Sequence, residues 1–299
     1  MSIFNDLLYS QDNIASKNCF SSIGAAKFIE GILKNDGIVI PTEIQTRVLP
    51  VALRGSDIFA CAKTGSGKTL AFAIPLIQRM MAKPKISRTT RALIIIPTRE
   101  LAFQVCEVIR KLLREPLTVT LIVGGQNSKS QESKLRSGSD IIVCTPGRLI
   151  DHLYNCPSFC LENIEILVLD EADRLLDENF DEQLKEIVKY SSKNKQTMLF
   201  SATLNDQVKS LATLALKNPV KIFADPSSSS IKSLEQHFIK IHNESLSMRE
   251  SLISMICSTR NDDIILIFCD TKKHAHRLFV TLNLLELNAE ELHGDMSQD

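Results

Sequence analysis

The hydrophobic residues of this chain occur in short continuous runs, separated by longer segments in which apolar positions recur every three or four residues. A short apolar run bounded by Gly, Pro, Thr or Asp is typical of a strand buried on both faces. The longer segments are typical of helices that cover such a sheet. Their alternation predicts an α/β fold with a parallel sheet and right-handed crossovers. The predicted strands are 57–60, 92–96, 119–123, 141–144, 166–169 and 197–200, and the predicted helices include 70–81, 101–113 and 182–190.

The pattern pauses after Pro219, where Asp225 and Pro226 precede a run of four serines. Serine runs do not bury a core, so this stretch indicates a linker. A second α/β pattern follows it, with a predicted strand at 264–269, a helix at 273–285 and a short strand near Leu292. We therefore expect an N-terminal extension at 1–19, a large α/β domain at 20–225 and a partial second domain at 226–299.

Composition and charge exclude several classes of protein. The 299 residues are 44% hydrophobic and 23% charged, which is the range of a globular protein and not of a disordered one. The 35 basic and 35 acidic side chains cancel, so the net charge predicts no partner. Four cations between residues 83 and 91 indicate a solvated surface turn. The eight scattered cysteines, the absence of a signal-like start and the absence of a long apolar run predict a soluble, intracellular protein with reduced thiols and no membrane contact.

The strongest motif is the segment 62–69, Ala-Lys-Thr-Gly-Ser-Gly-Lys-Thr, between a predicted strand and a predicted helix. Its glycines let backbone N–H groups turn around phosphates, and the helix N-terminus adds a partial positive charge. Lys68 would reach the β- and γ-phosphates, and the Thr69 hydroxyl would hold a magnesium ion. The sequence therefore predicts an ATP site built from Ala62, Thr64, Gly65, Ser66, Gly67, Lys68 and Thr69.

A second motif places carboxylates directly after the apolar run 166–169. Ligands of open α/β sheets bind at the carboxyl ends of the strands, where these side chains would lie. Asp170 suits magnesium coordination through water, and Glu171 is placed to orient or deprotonate an attacking water. We therefore predict Lys68, Asp170 and Glu171 as the catalytic residues, and Thr69 and Asp170 as the metal-binding ones.

The tetrad Asp170-Glu171-Ala172-Asp173 resembles the motif that names the DEAD-box ATP-dependent RNA helicases, a family of RecA-like proteins that use ATP and Mg²⁺. The segment 41–45 resembles the Q motif of this family, with Phe20 at its upstream aromatic position. The resemblance implies that Gln45 reads the adenine edge, that Thr42 supports it and that Phe20 packs against the base. The segment 201–203 resembles the motif that contacts the DEAD tetrad, which implies a role for Asp173, Ser201 and Thr203 in coupling the ATP state to domain closure.

Three further segments follow predicted strands and resemble the RNA-contacting motifs of the family. Two of them open helices, whose free N–H groups and dipole can hold a backbone phosphate, and the third offers close approach at a pair of glycines. Phosphate and sugar contacts position RNA without reading its sequence, so we expect sequence-independent RNA binding. The predicted residues are Pro97, Thr98, Arg99, Gly124, Gly125, Thr145, Pro146, Gly147 and Arg148.

The segments 265–271 and 291–298 resemble the opening motifs of the second RecA-like domain of the family. The segments that carry the arginine fingers of the family are absent, so the chain resembles a helicase truncated within this domain. Two functions stay open: an ATP-dependent RNA helicase, and a non-catalytic ATP- and RNA-binding module. A P-loop ATPase that acts on DNA or protein is disfavoured by Gln45 and the tetrad. Segments 89–102 and 165–177 look most like the nucleolar branch that assembles the large ribosomal subunit, which implies a monomer that acts on pre-ribosomal particles in the nucleus.

Overall fold

The computed structural model describes residues 19–84, 89–178, 180–224, 235, 237–241, 246–260 and 263–296. The chain divides into two compact units between residues 228 and 229. The described residues up to 224 belong to the N-terminal unit, and those from 235 onward belong to the C-terminal unit.

The N-terminal unit is built on a sheet of seven strands, and each pair of neighbouring strands runs parallel. The central strands are buried along their whole length, which explains their uninterrupted apolar sequences. The strand order across the sheet is β3-β4-β2-β5-β6-β1-β7. The strands are β1 (Ile58–Cys61), β2 (Ala92–Ile95), β3 (Val119–Ile122), β4 (Ile141–Cys144), β5 (Ile166–Leu169), β6 (Gln196–Ser201) and β7 (Val220–Phe223).

Helices cover both faces of this sheet, and two apolar cores lie between the helices and the strands. One core packs side chains such as Ile29, Phe72 and Ile109 against one face, and the other packs Leu149, Leu175 and Leu211 against the opposite face. The helices are α1 (Lys27–Asn35), α2 (Glu43–Leu53), α3 (Lys68–Met81), α4 (Arg99–Leu112), α5 (Ser128–Ser137), α6 (Pro146–Asn155), α7 (Ala172–Asp177), α8 (Asp181–Tyr190) and α9 (Asp206–Ala215).

All six strands predicted from the sequence in this unit are confirmed, each to within one residue at either end. The seventh strand, β7, was missed because it lies at the edge of the sheet and only Ile222 of its four residues is buried. Lys221 therefore interrupts its apolar pattern. The strand pairs with β1, and Arg47 Nη1 donates a hydrogen bond of 2.8 Å to the Phe223 carbonyl.

The interpretation of residues 83–91 as a solvated turn is wrong for Arg91. This side chain is 1% exposed, and its Nε donates to Glu165 Oε1 at 2.6 Å. Lys83 Nζ forms an ion pair of 2.5 Å with Glu165 Oε2. The carboxylate of Glu165 thus pairs with two of the four cations, of which Arg91 is buried and Lys83 is exposed, while residues 85–88 lie outside the described residues.

The described part of the C-terminal unit contains α10 (Leu246–Thr259) and α11 (Lys272–Leu284), and the predicted helix at 273–285 is confirmed. The predicted strands at 264–269 and near Leu292 are wrong. A strand needs a hydrogen-bonded neighbour, and among the described residues of this unit no strand ladder forms. The apolar side chains of Ile264, Leu266 and Phe268 are correspondingly exposed.

Two further features concern the whole described chain. The thiols of all eight cysteines are free. None of the described helices combines the length and the apolar character needed to cross a bilayer.

Candidate functional site

Six of the sequence motifs meet at one edge of the sheet, because each of the six follows the carboxyl end of one of the parallel strands β1 to β6. The loops after β1, β5 and β6 carry the predicted nucleotide and coupling residues, and these three strands are neighbours. The loops after β2, β3 and β4 carry the predicted RNA residues, and these strands are also neighbours. The strand order therefore sorts the predicted motifs into two adjoining halves of one edge.

The loop between β1 and α3 has the backbone of a phosphate-binding loop. Gly65 and Gly67 have φ angles of +77° and +91°, a region that side chains with a Cβ rarely adopt. A Cβ at Gly67 would collide with the Gln45 amide and lie 3.2 Å from Thr42 Oγ1. Thr64 and Gly65 are exposed, so the outer side of the loop is open to a ligand.

Lys68 is folded inward at the start of α3. Its side chain is buried, and Nζ donates a hydrogen bond of 3.0 Å to the Ala62 carbonyl. An ammonium carries three N–H donors, more than one carbonyl accepts. The buried Ser66 hydroxyl has no hydrogen-bond partner among the described residues. Unsatisfied polar groups of this kind fit a loop that receives phosphate oxygens.

Asp170 follows β5 and is buried, with 6% of its surface exposed. Burial raises the pKa of its carboxyl to about 6, and the charge of Lys68 opposes that rise. Its Oδ1 accepts a hydrogen bond of 2.9 Å from the Glu171 backbone N–H. A buried carboxylate whose ionisation is opposed by burial is stabilised by a divalent cation, and the Lys68 ammonium suits phosphate oxygens. The residues therefore fit magnesium and a nucleotide phosphate.

Glu171 occupies an unusual backbone conformation at the start of α7, with φ 50° and ψ 50°. Its Oε2 lies 3.0 Å from Arg174 Nη1, one helical turn away. The left-handed turn costs on the order of 1 kcal/mol for a residue with a Cβ, and such strain is concentrated at functional sites. The turn directs the chain from β5 into α7 and leaves the carboxylate paired with a cation.

Asp173 joins the tetrad to the segment that follows β6. Its Oδ2 accepts hydrogen bonds from the Ala202 N–H at 3.1 Å, the Thr203 N–H at 2.9 Å and the Thr203 hydroxyl at 3.0 Å. Burial opposes ionisation of Asp173, but the hydrogen bonds from Thr203 and Arg174 outweigh it and lower the pKa of the carboxyl. Ser201 is fully buried, and its Oγ accepts from the Thr203 N–H at 3.4 Å.

Gln45 connects the segment 41–45 to the phosphate-binding loop. Its Oε1 accepts from the Thr42 N–H at 2.8 Å, and its Nε2 donates to the Gly67 carbonyl at 3.0 Å. An amide has two N–H donors and two oxygen lone pairs, so each end keeps one further hydrogen-bonding position, although the side chain is only 2% exposed. The predicted adenine contact stays a prediction.

Phe20 lies in the apolar core with 0% of its surface exposed. Contact between this ring and a base would therefore require the surrounding core to open, and the predicted contact stays a prediction.

The predicted RNA residues of the loops after β2 and β3 lie together. Thr98 caps α4, and its hydroxyl accepts from the Leu101 N–H at 3.4 Å, while Pro97 is buried beside it. The guanidinium of Arg99 packs against the glycine pair: a Cβ on Gly124 would lie 2.9 Å from Arg99 Nη2, and one on Gly125 would collide with Nη1. The positive φ of Gly125, +76°, favours glycine there, whereas a Cβ on Gly124 would displace the flexible end of Arg99.

The loop after β4 reaches the same place. Thr145 and Pro146 are buried at the start of α6, with proline in its first turn, and Gly147 is half-buried. Arg148 Nη2 donates to the Gln126 carbonyl at 3.1 Å, and its Nε donates to the Val123 carbonyl at 3.4 Å. Two arginines and two helix N-termini thus surround the backbone of residues 123–126.

Sequence reasoning missed three residues of this edge. Arg174 pairs with Glu171, and the spacing of three residues on a helix was a usable signal. Gln131 and His152 are buried under the segment 123–126, with 2% and 1% of their surfaces exposed. His152 falls three residues after the buried Leu149, on the apolar face of α6, which was a weaker signal.

A parallel sheet with a phosphate-binding loop after β1 and a carboxylate pair after β5 defines a P-loop α/β protein of the helicase type. Residues 42–211, more than half of the chain, match the DEAD/DEAH box helicases. The chain therefore belongs to the DEAD/DEAH box helicase family.

Named relatives and solved structures resemble the chain over most of its length. It is 49% identical over 263 residues to the human probable ATP-dependent RNA helicase DDX27, and the alignment covers 88% of this chain and 34% of that protein. It is 42% identical over 284 residues to the ATP-dependent RNA helicase DRS1 of Saccharomyces cerevisiae, and the alignment covers 94% of this chain and 38% of that protein. A crystal structure of a DEAD box protein from the hyperthermophile Methanococcus jannaschii aligns with a TM-score of 0.64 and 31% identity, covering 94% of this chain and 74% of that chain. The chain spans about a third of the length of the curated relatives it matches.

Proposed function

We propose that this chain supplies the ATP- and RNA-binding surfaces of an ATP-dependent RNA helicase, which couples ATP binding and hydrolysis to RNA binding and local duplex unwinding. The observation that carries the proposal is the arrangement of nucleotide and RNA motifs in two adjoining halves of one sheet edge. The halves meet where β2 pairs with β5, and the Asp170 N–H donates to the Ile95 carbonyl at 3.0 Å. The names of the relatives support the same activity.

In this proposal Mg²⁺ and ATP occupy the loops after β1 and β5. Lys68 holds the β- and γ-phosphates, Thr69 and Asp170 hold the metal, and Glu171 orients or deprotonates the attacking water. The magnesium ion, when bound, neutralises charge that develops on the transferred phosphoryl group. Gln45 and Thr42 provide the adenine contact.

The proposed RNA contacts are sequence-independent. The N-termini of α4 and α6, with Arg99 and Arg148, offer N–H groups and positive charge to phosphates, and Gly124 and Gly125 let a sugar–phosphate chain approach. The Asp173–Thr203 connection supports a role of Ser201 and Thr203 in transmitting the nucleotide state.

The remaining parts of the proposal concern organisation and biological setting. We take residues 20–225 as the ATP-binding domain and 226–299 as part of a second RecA-like domain, which the division between residues 228 and 229 supports. A monomer that acts on pre-ribosomal particles in the nucleolus is proposed from the resemblance of segments 89–102 and 165–177 to that branch of the family. Co-sedimentation of the tagged chain with large-subunit precursors tests this setting, and migration with free protein alone would contradict it.

RNA-stimulated ATP hydrolysis tests the enzymatic proposal. The wild-type chain should hydrolyse ATP faster with single-stranded RNA, and Glu171→Gln should keep ATP binding but lose about 10²-fold or more in turnover, as expected when a general base is removed. Glu182→Gln, at an exposed position of α8, is the matched control and should behave as wild type. ATP and RNA binding without stimulated turnover in the wild type would favour the non-catalytic module instead.

A further inference from the structure

Beneath the proposed RNA surface lies a buried polar pair, Gln131 on α5 and His152 on α6. We infer that Gln131 and His152 are positioning residues that hold the backbone of residues 123–126 in the shape that receives an RNA phosphate. The inference rests on the proposed RNA-binding function and extends it to two residues that contact no RNA themselves.

The hydrogen bonds of Gln131 fix the orientation of its amide. Nε2 donates to the Val123 carbonyl at 2.9 Å and to Gln126 Oε1 at 3.3 Å, so both of its hydrogens point at oxygen acceptors. Rotating the amide by half a turn would place its oxygen against these two oxygens. Oε1 therefore points to the other side, where it lies 3.0 Å from His152 Nε2.

This orientation determines the tautomer of His152. Because Gln131 Oε1 is an acceptor, His152 Nε2 must carry the hydrogen. Burial, followed by the charge of Arg148, lowers the pKa of the imidazole, which keeps the ring neutral near physiological pH. The ring donates to the amide, the amide donates to the Val123 carbonyl, and the chain of bonds runs from the last turn of α6 to the loop.

The loop is held from both sides. Gln131 lies beneath it, while Arg148 bonds to the Val123 and Gln126 carbonyls and Arg99 covers Gly124 and Gly125. The two arginines are the groups proposed to meet RNA phosphates, and binding RNA would draw their N–H donors toward the ligand. The Gln131–His152 pair then keeps the Val123 carbonyl satisfied and the loop in place, since a buried carbonyl is costly to leave unpaired.

A buried glutamine can also serve stability alone, and the same unit offers a matched case. Gln196 is 4% exposed, and its Nε2 donates to the Ala52 and Ser56 carbonyls at 3.0 and 2.7 Å. It is the first residue of β6 and so lies at the amino ends of the strands, whereas the motif loops lie at their carboxyl ends. Gln196→Leu therefore removes a similar buried amide at the opposite sheet edge from residues 123–126.

The first measurement needs no RNA. Hydrogen exchange of the amides of residues 124–127 is compared in the wild-type chain, Gln131→Glu, Gln131→Leu, His152→Phe and Gln196→Leu. Gln131→Glu is nearly isosteric and can still accept from His152, but it cannot donate to Val123. We expect exchange in this segment to accelerate about tenfold in both Gln131 variants and less in His152→Phe, and to stay at the wild-type rate in Gln196→Leu. Equal exchange in the Gln131 and Gln196 variants would overturn the inference, whether or not the chain binds RNA.

The second measurement separates the inference from the function on which it rests. Affinities for a fluorescein-labelled poly(U) oligonucleotide and for a fluorescent ATP analogue are measured on the same variants. The Gln131 variants should bind RNA about three- to tenfold more weakly with unchanged ATP affinity, and Gln196→Leu should bind both as the wild type does. Failure of the wild type to bind RNA would remove the proposed function, and the RNA role of Gln131 with it. Normal RNA binding by a Gln131 variant with a loosened loop would overturn the inference alone.

Discussion

The Asp173 carboxylate binds Thr203 twice through a single oxygen, which accepts the backbone N–H at 2.9 Å and the hydroxyl at 3.0 Å. The same oxygen accepts the Ala202 N–H at 3.1 Å. The loops after β5 and β6 are therefore joined by a charged group that is 8% exposed. A charged hydrogen bond with little exposure is worth more than a neutral one at the surface.

Removing the Thr203 hydroxyl should weaken the connection between the loops after β5 and β6. Thr203→Val keeps the shape of the side chain but removes one donor to Asp173, and we expect the free energy of unfolding to fall by about 1–2 kcal/mol in urea titrations. Thr213→Val is the control, because its hydroxyl donates to the Lys209 carbonyl on the exposed side of α9 and should matter by less than about 0.5 kcal/mol. Equal losses in the two variants would contradict the role given to Asp173.

Asp170 should make the stability of the protein depend on pH. Its pKa of about 6 in the folded chain exceeds the value of about 4 in an unfolded chain, so ionisation costs stability as the pH rises between these values. Asp170→Asn cannot ionise at this position. Its stability relative to the wild type should therefore be higher at about pH 8 than at about pH 4, by up to about 3 kcal/mol. Thermal unfolding in EDTA across this range measures the difference.

The control for Asp170 is Asp173→Asn, which should act with the opposite sign. The pKa of Asp173 is lowered, so its ionised form stabilises the fold above the unfolded pKa, and that contribution disappears on acidification. Asp173→Asn should therefore be destabilised most at neutral pH. Magnesium with ATP should offset the cost of the Asp170 charge in the wild type, and should therefore stabilise the wild type more than Asp170→Asn.

Gly67 should tolerate alanine less well than Gly65. Both have positive φ angles, which cost on the order of 1 kcal/mol for alanine. A Cβ at Gly67 would also collide with Gln45, whereas no atom lies within 4 Å of a Cβ at Gly65. Gly67→Ala should displace the Gln45 bond and reduce nucleotide affinity at least tenfold beyond Gly65→Ala, as measured by titration with a fluorescent ATP analogue.

Arg91 and Arg174 both pair with glutamates, but in different surroundings. Arg91 is 1% exposed, whereas the Arg174 side chain is 58% exposed. Arg91→Met leaves Glu165 without its buried partner and should cost about 3 kcal/mol of unfolding free energy. Arg174→Met should change it by less than about 1 kcal/mol. Urea unfolding of the two variants checks the contrast, and similar losses would show that burial does not set the strength of these pairs.

The sheet and the motif loops were predictable because each follows from a local physical constraint. Strands β2, β4 and β5 are buried along their whole length, so their sequences are continuous apolar runs that resemble no surface segment. The starts of α4 and α6 could be predicted from the sequence, because Thr98 caps one helix and Pro146 lies in the first turn of the other. Strand β7 reads Val-Lys-Ile-Phe at the sheet edge, with one buried residue, and four such residues do not distinguish a strand from a loop.

Features that depend on tertiary partners were not predictable. Gln131 and His152 are 21 residues apart, and each is polar, so the sequence indicates two surface positions instead of one buried pair. Arg91 is drawn inward by Glu165, 74 residues later in the chain. Phe20 is an aromatic residue, the type expected to stack on a base, yet its side chain is fully buried in the apolar core. In each case the partner, and not the local pattern, determines where the side chain lies.

The strand order also determines how close the charge of Asp170 lies to the first RNA-motif loop. Adjacent strands lie about 5 Å apart, and β2 is the direct neighbour of β5. The first RNA-motif loop thus begins about one strand spacing from Asp170, within the Debye length of about 8 Å at physiological ionic strength. Charge gained or lost at Asp170, on taking up a proton or a cation, can change the local potential at the first turn of α4 before any part of the backbone moves, and added salt should weaken this purely Coulombic response.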